Sequence, residues 1–159
     1  MEQISLMLVL STFFMNNMIA EEVIQVIDGT LDDIENFDEI ALEHWEYFKN
    51  KKPMFDRKVI GNFRVVIAKD DEKTIGYAFY LFYKSPYYDE TCCQVDMFFL
   101  KPEYRGQGIG IKMFKLVEQM AKKNNCKSLV ASYNLKESLD MFYKKLGFNA
   151  THVAVAKEI

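Results

Sequence analysis

The period of the hydrophobic positions changes several times along the chain, and each change predicts an element of secondary structure. Runs of apolar and β-branched residues bounded by turn residues predict strands at 22–28, 63–68, 74–83, 91–100 and 128–132. Apolar residues that recur every three or four positions predict helices at 30–49, 109–123 and 136–146. A last strand region is predicted at 148–156. Strands and helices in this order predict a single α/β domain.

The predicted strand at 91–100 leads into a glycine-rich segment with the features of an anion site. Pro102 ends the strand, because proline cannot donate a hydrogen bond to a sheet. The segment Arg105-Gly106-Gln107-Gly108-Ile109-Gly110 follows, and the next helix begins among its glycines. The free N–H groups and the dipole of a helix start favour an anion, and glycines let the backbone approach it closely. Arg105 adds a positive charge, so the segment predicts a phosphate-binding loop.

The spacing of the glycines distinguishes between kinds of phosphate loop. A Walker loop needs a lysine and a hydroxyl residue directly after its last glycine, whereas Gly110 is followed by Ile111 and Lys112. The dinucleotide fingerprint needs the spacing G-x-G-x-x-G, whereas this segment has G-x-G-x-G. Neither pattern fits, and from these residues alone a plain glycine-rich turn remains the alternative.

Two motifs resemble those of the GCN5-related N-acetyltransferases, the GNAT family. The pattern Arg105-x-x-Gly108-x-Gly110 after a proline-ended strand is similar to the loop with which that family holds the pyrophosphate of acetyl-CoA. The segment 142–148 is similar to the end of a later helix in the family, where a tyrosine, here Tyr143, stands four residues before a Gly-Phe pair. Lys136 departs from the pattern, since the family often has an asparagine at that place, and here Asn134 lies two residues earlier.

The resemblance covers about residues 18–159 and implies a GNAT-like α/β fold, with a central mixed, mostly antiparallel sheet flanked by helices. It implies acetyl-CoA as the co-substrate, no metal, and direct transfer of the acetyl group to an amine. The implied cofactor-binding residues are Phe98, Phe99, Leu100, Arg105, Gly106, Gln107, Gly108, Ile109 and Gly110. In the family a bulge in the central strand, which by position is the segment Phe98 to Leu100 here, frees a backbone N–H near the thioester, and Tyr143 fits the family's general acid.

Asp96 is the candidate general base. An alkyl ammonium has a pKa of about 10 and must lose a proton before it can attack a thioester. Asp96 stands on an otherwise apolar strand, where a lone carboxylate is costly unless it is partnered or functional. By strict alternation Asp96 would share a face with Phe98 and Leu100, opposite Val95. A structural hydrogen bond is the alternative role for this side chain.

Charge is divided unevenly along the 159 residues. The net charge is −3, yet residues 1–48 contain eleven acidic residues and no lysine or arginine. An acidic N-terminal part beside a basic part with an anion loop favours a cationic amine acceptor. Polyamines, aminoglycoside-like amines and lysine-rich protein segments all have that chemistry. A solvated acidic helix face is the alternative, and the sequence leaves the oligomeric state open, a homodimer included.

Composition and cysteine usage predict a cytoplasmic globular protein. Half of the residues are hydrophobic and about a quarter are charged, a profile typical of soluble domains. Three cysteines without disulfide or metal-ligand spacing favour a reduced compartment, and two histidines disfavour a zinc site. Residues 1–17 are expected to be an N-terminal extension upstream of a start at Met18. Their apolar run is too short to span a bilayer and has no basic residue before it.

Two other functions fit parts of the pattern. A non-catalytic acyl-CoA-binding or interaction module would keep the loop and lack the chemistry. An acetyltransferase that modifies tRNA or a protein would use the basic C-terminal part, although the negative net charge disfavours nucleic acid as a partner. We expect no membrane partner. The favoured prediction is an N-acetyltransferase that acts on a primary amine.

Overall fold

Five strands form one mixed sheet in this computed structural model, which describes residues 24–48, 57–133 and 139–151. The strands are β1 (Gln25–Gly29), β2 (Arg64–Asp70), β3 (Lys73–Lys84), β4 (Thr91–Leu100) and β5 (Ser128–Ala131). The helices are α1 (Phe37–Phe48), α2 (Arg57–Ile60), α3 (Ile109–Lys123) and α4 (Asp140–Lys145). The strands lie in the order β1-β2-β3-β4-β5. All neighbours are antiparallel except β4 and β5, which are parallel. The predicted mixed, mostly antiparallel sheet is confirmed.

Helices cover the two faces of the sheet and define two cores. On one face α3 packs over β1, β2 and β3, and the buried side chains there include Val66, Tyr80, Val95, Met113 and Phe114. On the other face α1 packs over β3, and the buried side chains there include Phe37, Ile40, Val65, Tyr77 and Phe99. We call these the α3-side core and the α1-side core. Strands β2 and β3 supply buried residues to both cores, which is why apolar residues follow one another in these strands instead of alternating with polar ones.

A β-bulge at Asp96 changes which residues of β4 face each core. Phe79 pairs with Met97 while the next residue, Tyr80, pairs with Val95, so Asp96 is the extra residue of β4. Strict alternation would put Val95 opposite Phe98, but the bulge brings both to the α3 side. The expected pairing of faces is therefore wrong N-terminal to the bulge, because the inserted residue reverses the alternation at that point.

The first helix begins later than its periodicity predicts. Residues 31–33 form a single 3₁₀ turn, and α1 starts only at Phe37. The side chain of Asp33 closes the turn, since its carboxylate accepts hydrogen bonds from the Thr30 N–H (2.7 Å) and hydroxyl (3.0 Å). The spacing of acidic and apolar residues between 30 and 49 does not show that the 3₁₀ turn is separate from α1.

Several expectations concern the chain ends and the last elements. The predicted last strand does not begin at Phe148, since residues 148–151 have no regular structure. Residues 134–138, the predicted start of the last helix, and residues 152–159 lie outside the described residues, as does the predicted extension at 1–17. No helix among the described residues has the length and apolar character needed to cross a membrane. Within the same residues, no cluster of three or more His, Cys, Asp or Glu side chains is placed to hold a metal ion.

Candidate active site

Three glycines shape the loop between β4 and α3, and they do so for two different reasons. Gly106 and Gly108 have φ angles of +78° and +80°, a conformation that side chains rarely adopt. A Cβ at either position would meet no atom within 4 Å, so the space in front of the loop is open. Gly110 lies in the first turn of α3, where a Cβ would come within 3.2 Å of Phe98 and 3.3 Å of Phe142. The first two glycines set the backbone and the third allows close packing.

Arg105 holds a fixed positive charge beside these glycines. Its Nε donates a hydrogen bond to the Leu100 carbonyl oxygen at 2.8 Å. Its guanidinium carbon lies 4.2 Å from the ring centroid of Tyr47 and 5.9 Å from that of Phe99. Both distances are in the range of cation–π contacts. The side chain is thus held by the end of β4 and by the last turns of α1.

The sheet opens between β4 and β5 next to this loop. Pairing of the two strands runs from Cys92 with Ser128 to Val95 with Ala131, and it ends there. The bulge residue Asp96 comes immediately after the last paired residue of β4. Beyond it, the β5 side of residues 97–100 has no strand partner in the described part of the chain. Backbone N–H and C=O groups at such an edge are available to an extended ligand.

A cavity of about 380 Å³ lies where the opened sheet meets the glycine loop. Its lining includes seven of the nine predicted cofactor residues: Phe98, Phe99, Leu100, Arg105, Gly106, Gly108 and Gly110. The other two do not line it. The side chain of Gln107 donates a hydrogen bond to the Glu103 carbonyl oxygen instead, and Ile109 is buried in the α3-side core.

Six further residues line the cavity and were not foreseen from sequence: Tyr47, Ile111, Leu139, Met141, Phe142 and Lys145. The last four belong to α4 or the residue before it. Met141 and Lys145 are four residues apart, so they lie on the same side of a helix. This spacing could have been used to predict from the sequence that both face the same site. Tyr47 comes from α1, sixty residues away in the chain from the loop, and only the tertiary structure brings it here.

The two residues predicted to move protons, Asp96 and Tyr143, do not line the cavity. Asp96 is exposed at the bulge. Tyr143 is 6% exposed and belongs to the α3-side core. Its ring centroid lies 5.3 Å from that of the lining residue Phe142, and its ring stacks on Tyr133 at 5.0 Å. The structure therefore places Tyr143 one ring behind the cavity wall.

A buried histidine supports the cavity from the α1 side. His44 is 8% exposed and shares a 2.6 Å hydrogen bond between its Nδ1 and the Tyr77 hydroxyl. Its ring stacks on Phe99 with centroids 4.7 Å apart. Burial, and then the positive charge of Arg105, lower the pKa of His44 to about 4. Burial also raises the pKa of Tyr77, so both partners are neutral near pH 7.

Part of the acidic charge on α1 is paired with lysines. The Lys101 ammonium lies 2.6 Å from the Glu43 carboxylate, and only 6% of the Lys101 side chain is exposed. Glu39 lies 3.7 Å from the exposed Lys73 ammonium. These two carboxylates hold α1 against the ends of β3 and β4. The negative charge that α1 can offer to a cationic acceptor is smaller than its composition indicates.

Comparison with known proteins identifies the family and the fold. The family model of the acetyltransferase (GNAT) family matches residues 34–148, which include β2 to β5, the loop and α4. The chain belongs to the GNAT family. This GNAT domain has the family's fold, as the two sequence motifs implied.

Individual relatives match less than half of the chain, and the solved structures described below have low sequence identity to it. A stretch of 76 residues is 40% identical to part of a thialysine N-epsilon-acetyltransferase from Bos taurus. This match covers 46% of this chain and 43% of the relative. The match therefore spans less than half of that relative. An aminoglycoside acetyltransferase from an uncultured soil metagenomic sample superposes with a TM-score of 0.72 at 15% identity, over 87% of this chain and 97% of that one. A ribosomal-protein-alanine N-acetyltransferase from Brucella melitensis biovar Abortus 2308 gives 0.71 at 15% identity, over 86% and 99%.

The residues of this GNAT domain fit the co-substrate that the family uses, acetyl-CoA. The open space in front of Gly106 and Gly108 gives an anion access to the loop backbone. Arg105 and Lys145 supply two cationic side chains in the cavity lining. Phe98, Leu139 and Phe142 supply apolar lining. The lining thus combines cationic and apolar side chains, which matches a pyrophosphate attached to an acyl chain.

Proposed function

We propose that this protein is an N-acetyltransferase that moves an acetyl group from acetyl-CoA directly to a primary amine. The observation that carries the proposal is the coincidence of three features: the bulge at Asp96, the end of β4–β5 pairing at Val95, and the cavity that leads to the glycine loop. Together they make an opening in the sheet that leads to the glycine loop and to Arg105, with no strand paired to β4 beyond Val95 among the described residues.

The chain's own residues divide the work of binding between the two ends of the cavity. Backbone N–H groups of the loop and the guanidinium of Arg105 bind the pyrophosphate. Phe98, Phe99 and Leu100 border the acyl chain. The Lys101 N–H binds the Ile75 carbonyl of β3, so by alternation the N–H groups of Phe98 and Leu100 face the β5 side and provide donors for the thioester oxygen. Gln107 and Ile109 contribute through their backbone only, because their side chains point elsewhere.

Proton transfer is assigned to Asp96 and Tyr143. The incoming ammonium must lose a proton, and Asp96, exposed at the mouth of the opening, accepts it directly or through water. The departing thiolate must gain one, and Tyr143 donates it. This assignment requires the Tyr143 hydroxyl to reach the cavity past Phe142, its neighbour at 5.3 Å. No covalent acyl-enzyme is needed, since the amine attacks the thioester itself.

The acceptor is proposed to be a cationic amine, either a small molecule or a protein amine. The acidic N-terminal part of the chain supports a positively charged partner, although Glu39 and Glu43 are already paired with lysines. The name of the bovine relative, an N-epsilon-acetyltransferase for thialysine, is consistent with an amine acceptor.

Ligand-dependent stability tests the cofactor first. Thermal unfolding is measured with acetyl-CoA, CoA, ATP or NAD, and a ligand at a hundredfold excess over its Kd stabilises the native state by about 2.7 kcal/mol. A shift with acetyl-CoA and CoA alone supports the proposal, whereas a shift with ATP or NAD, or none, contradicts it. Release of the free CoA thiol is then followed with spermidine, kanamycin and a lysine-rich peptide as acceptors. Binding of acetyl-CoA without turnover of any amine would favour a non-catalytic binding module.

A further inference from the structure

The C-terminal half of α1 contacts the segment that leads into the cofactor loop at three successive points. The pairs are Glu43 with Lys101 (2.6 Å between charged atoms), His44 with Phe99 (4.7 Å between ring centroids), and Tyr47 with Arg105 (4.2 Å from ring centroid to guanidinium carbon). In the first two pairs Lys101, His44 and Phe99 are buried whereas Glu43 is partly exposed, and these pairs join α1 to β4 and the residue that follows it. The third pair is different, because both of its residues line the cavity.

The contacts of Arg105 determine where its charge can be presented. Nε donates to the Leu100 carbonyl oxygen, and the guanidinium carbon lies over the ring of Tyr47, 4.2 Å from its centroid. The terminal amino groups of Arg105 make no hydrogen bond to any of the described residues. An arginine side chain free in solution would lose rotamer freedom on binding an anion, whereas one already held by its Nε and its face loses less.

We propose that Tyr47 is a positioning residue of the cofactor site, which holds Arg105 so that its terminal amino groups point to the pyrophosphate. The inference rests on the proposed use of acetyl-CoA and adds a residue from α1 that the family motifs do not contain. Tyr47 is 48% exposed, so a core-packing role does not account for its place. Its ring face supplies the contact, and a phenylalanine would supply the same face.

The test is the affinity for CoA, measured by isothermal titration calorimetry on the full chain. Tyr47→Ala should weaken CoA binding by roughly two- to fivefold, the range of a cation–π contact at an exposed site, while Tyr47→Phe should bind like the wild type. Tyr88→Ala removes an equally large and more exposed ring on the β3–β4 loop and should have no effect. Unchanged or tighter binding by Tyr47→Ala would overturn the inference, because Arg105 would then be held unproductively or not at all.

A double-mutant cycle separates positioning from a direct contact of Tyr47 with CoA. In an Arg105→Ala background, Tyr47→Ala should cause no further loss of affinity, because the residue that it positions is already absent. An additive loss would show that Tyr47 acts independently of Arg105 and would overturn the inference. If the wild type itself does not bind CoA, the proposed function fails and this inference with it. If the wild type binds and the cycle is additive, only the inference fails.

Discussion

The ammonium of Lys101 is almost completely buried and lies 2.6 Å from the carboxylate of Glu43. Lys101 follows the last residue of β4, and Glu43 is on α1, so this ion pair joins the helix to the strand that carries the site. A buried charge that loses its counter-ion retains its desolvation penalty. The pair is therefore expected to matter more for stability than its exposed neighbour Lys73–Glu39.

Replacing Glu43 tests this ion pair. We expect Glu43→Gln to lower the free energy of unfolding by about 1–3 kcal/mol, since Lys101 stays buried without its counter-ion. Glu39→Gln, which breaks the 3.7 Å contact between two exposed side chains, should cost less than about 0.5 kcal/mol. Urea unfolding of both variants gives the comparison. Equal losses would show that burial of Lys101 does not determine the strength of the pair.

The positive φ of Gly108 predicts a change in both stability and affinity. Gly108→Ala should destabilise the fold by about 1 kcal/mol, because alanine is strained at φ +80°. It should also weaken acetyl-CoA binding, since a Cβ would fill the open space in front of the loop. Gly147→Ala is the matched control, with φ +83°, equally open space and no place in the cavity lining. The control should lose similar stability in urea and keep its affinity for acetyl-CoA.

Lys145 is expected to contribute to cofactor binding, and Lys144 is not. Both are exposed on α4, but only Lys145 lines the cavity. Lys145→Gln should raise the KM for acetyl-CoA by roughly three- to tenfold through loss of one charge-assisted contact to a phosphate, with kcat little changed. Lys144→Gln should leave both constants at the wild-type values. Steady-state kinetics at low ionic strength would contradict the prediction if the two variants behaved alike.

His44 predicts how stability depends on pH. Its pKa is about 4 in the folded protein and about 6.5 when unfolded, so between these values only the unfolded chain binds the proton. The contribution of neutral His44 to the free energy of unfolding is present above the unfolded-state pKa of about 6.5, and it is lost as the pH falls toward the folded-state pKa of about 4. By pH 5 the loss should reach about 2 kcal/mol. The variant His44→Asn should show a smaller decrease of unfolding free energy between pH 7 and pH 5, measured by urea unfolding. An identical decrease would place the imidazole in a less buried position than the structure does.

The hydroxyl of Tyr143 is expected to affect the chemical step and not cofactor binding. Tyr143→Phe should lower kcat by roughly a hundredfold, the lower end of general-acid contributions, and leave the Kd for acetyl-CoA unchanged. Tyr133→Phe removes the hydroxyl from the ring that stacks on Tyr143 and should change kcat little. A Tyr143→Phe variant with wild-type turnover would reject Tyr143 as the acid, and another group or water would then protonate the thiolate.

Local patterns determined the elements and most of the cofactor loop. The bounds of β4 follow from a mostly apolar segment that ends before Pro102, and α3 begins at Ile109, directly after Gly108 with its positive φ angle. Seven of the predicted cofactor residues line the cavity, since a loop and the strand before it are contiguous in sequence. Periodicity failed at the start of α1, where a single carboxylate, that of Asp33, closes a 3₁₀ turn.

Only the tertiary structure decided what surrounds that loop. The family resemblance implied a bulge in the central strand near Phe98 to Leu100, but only the pairing between β3 and β4 shows that the unmatched residue is Asp96. The contact between Tyr47 and Arg105 joins two segments far apart in sequence, as does the burial of His44 against Tyr77. Sequence determines short-range geometry because neighbours along the chain share a backbone. Long-range contacts depend on how whole elements pack, and packing decided which aromatic side chain of α1 reaches the cofactor site.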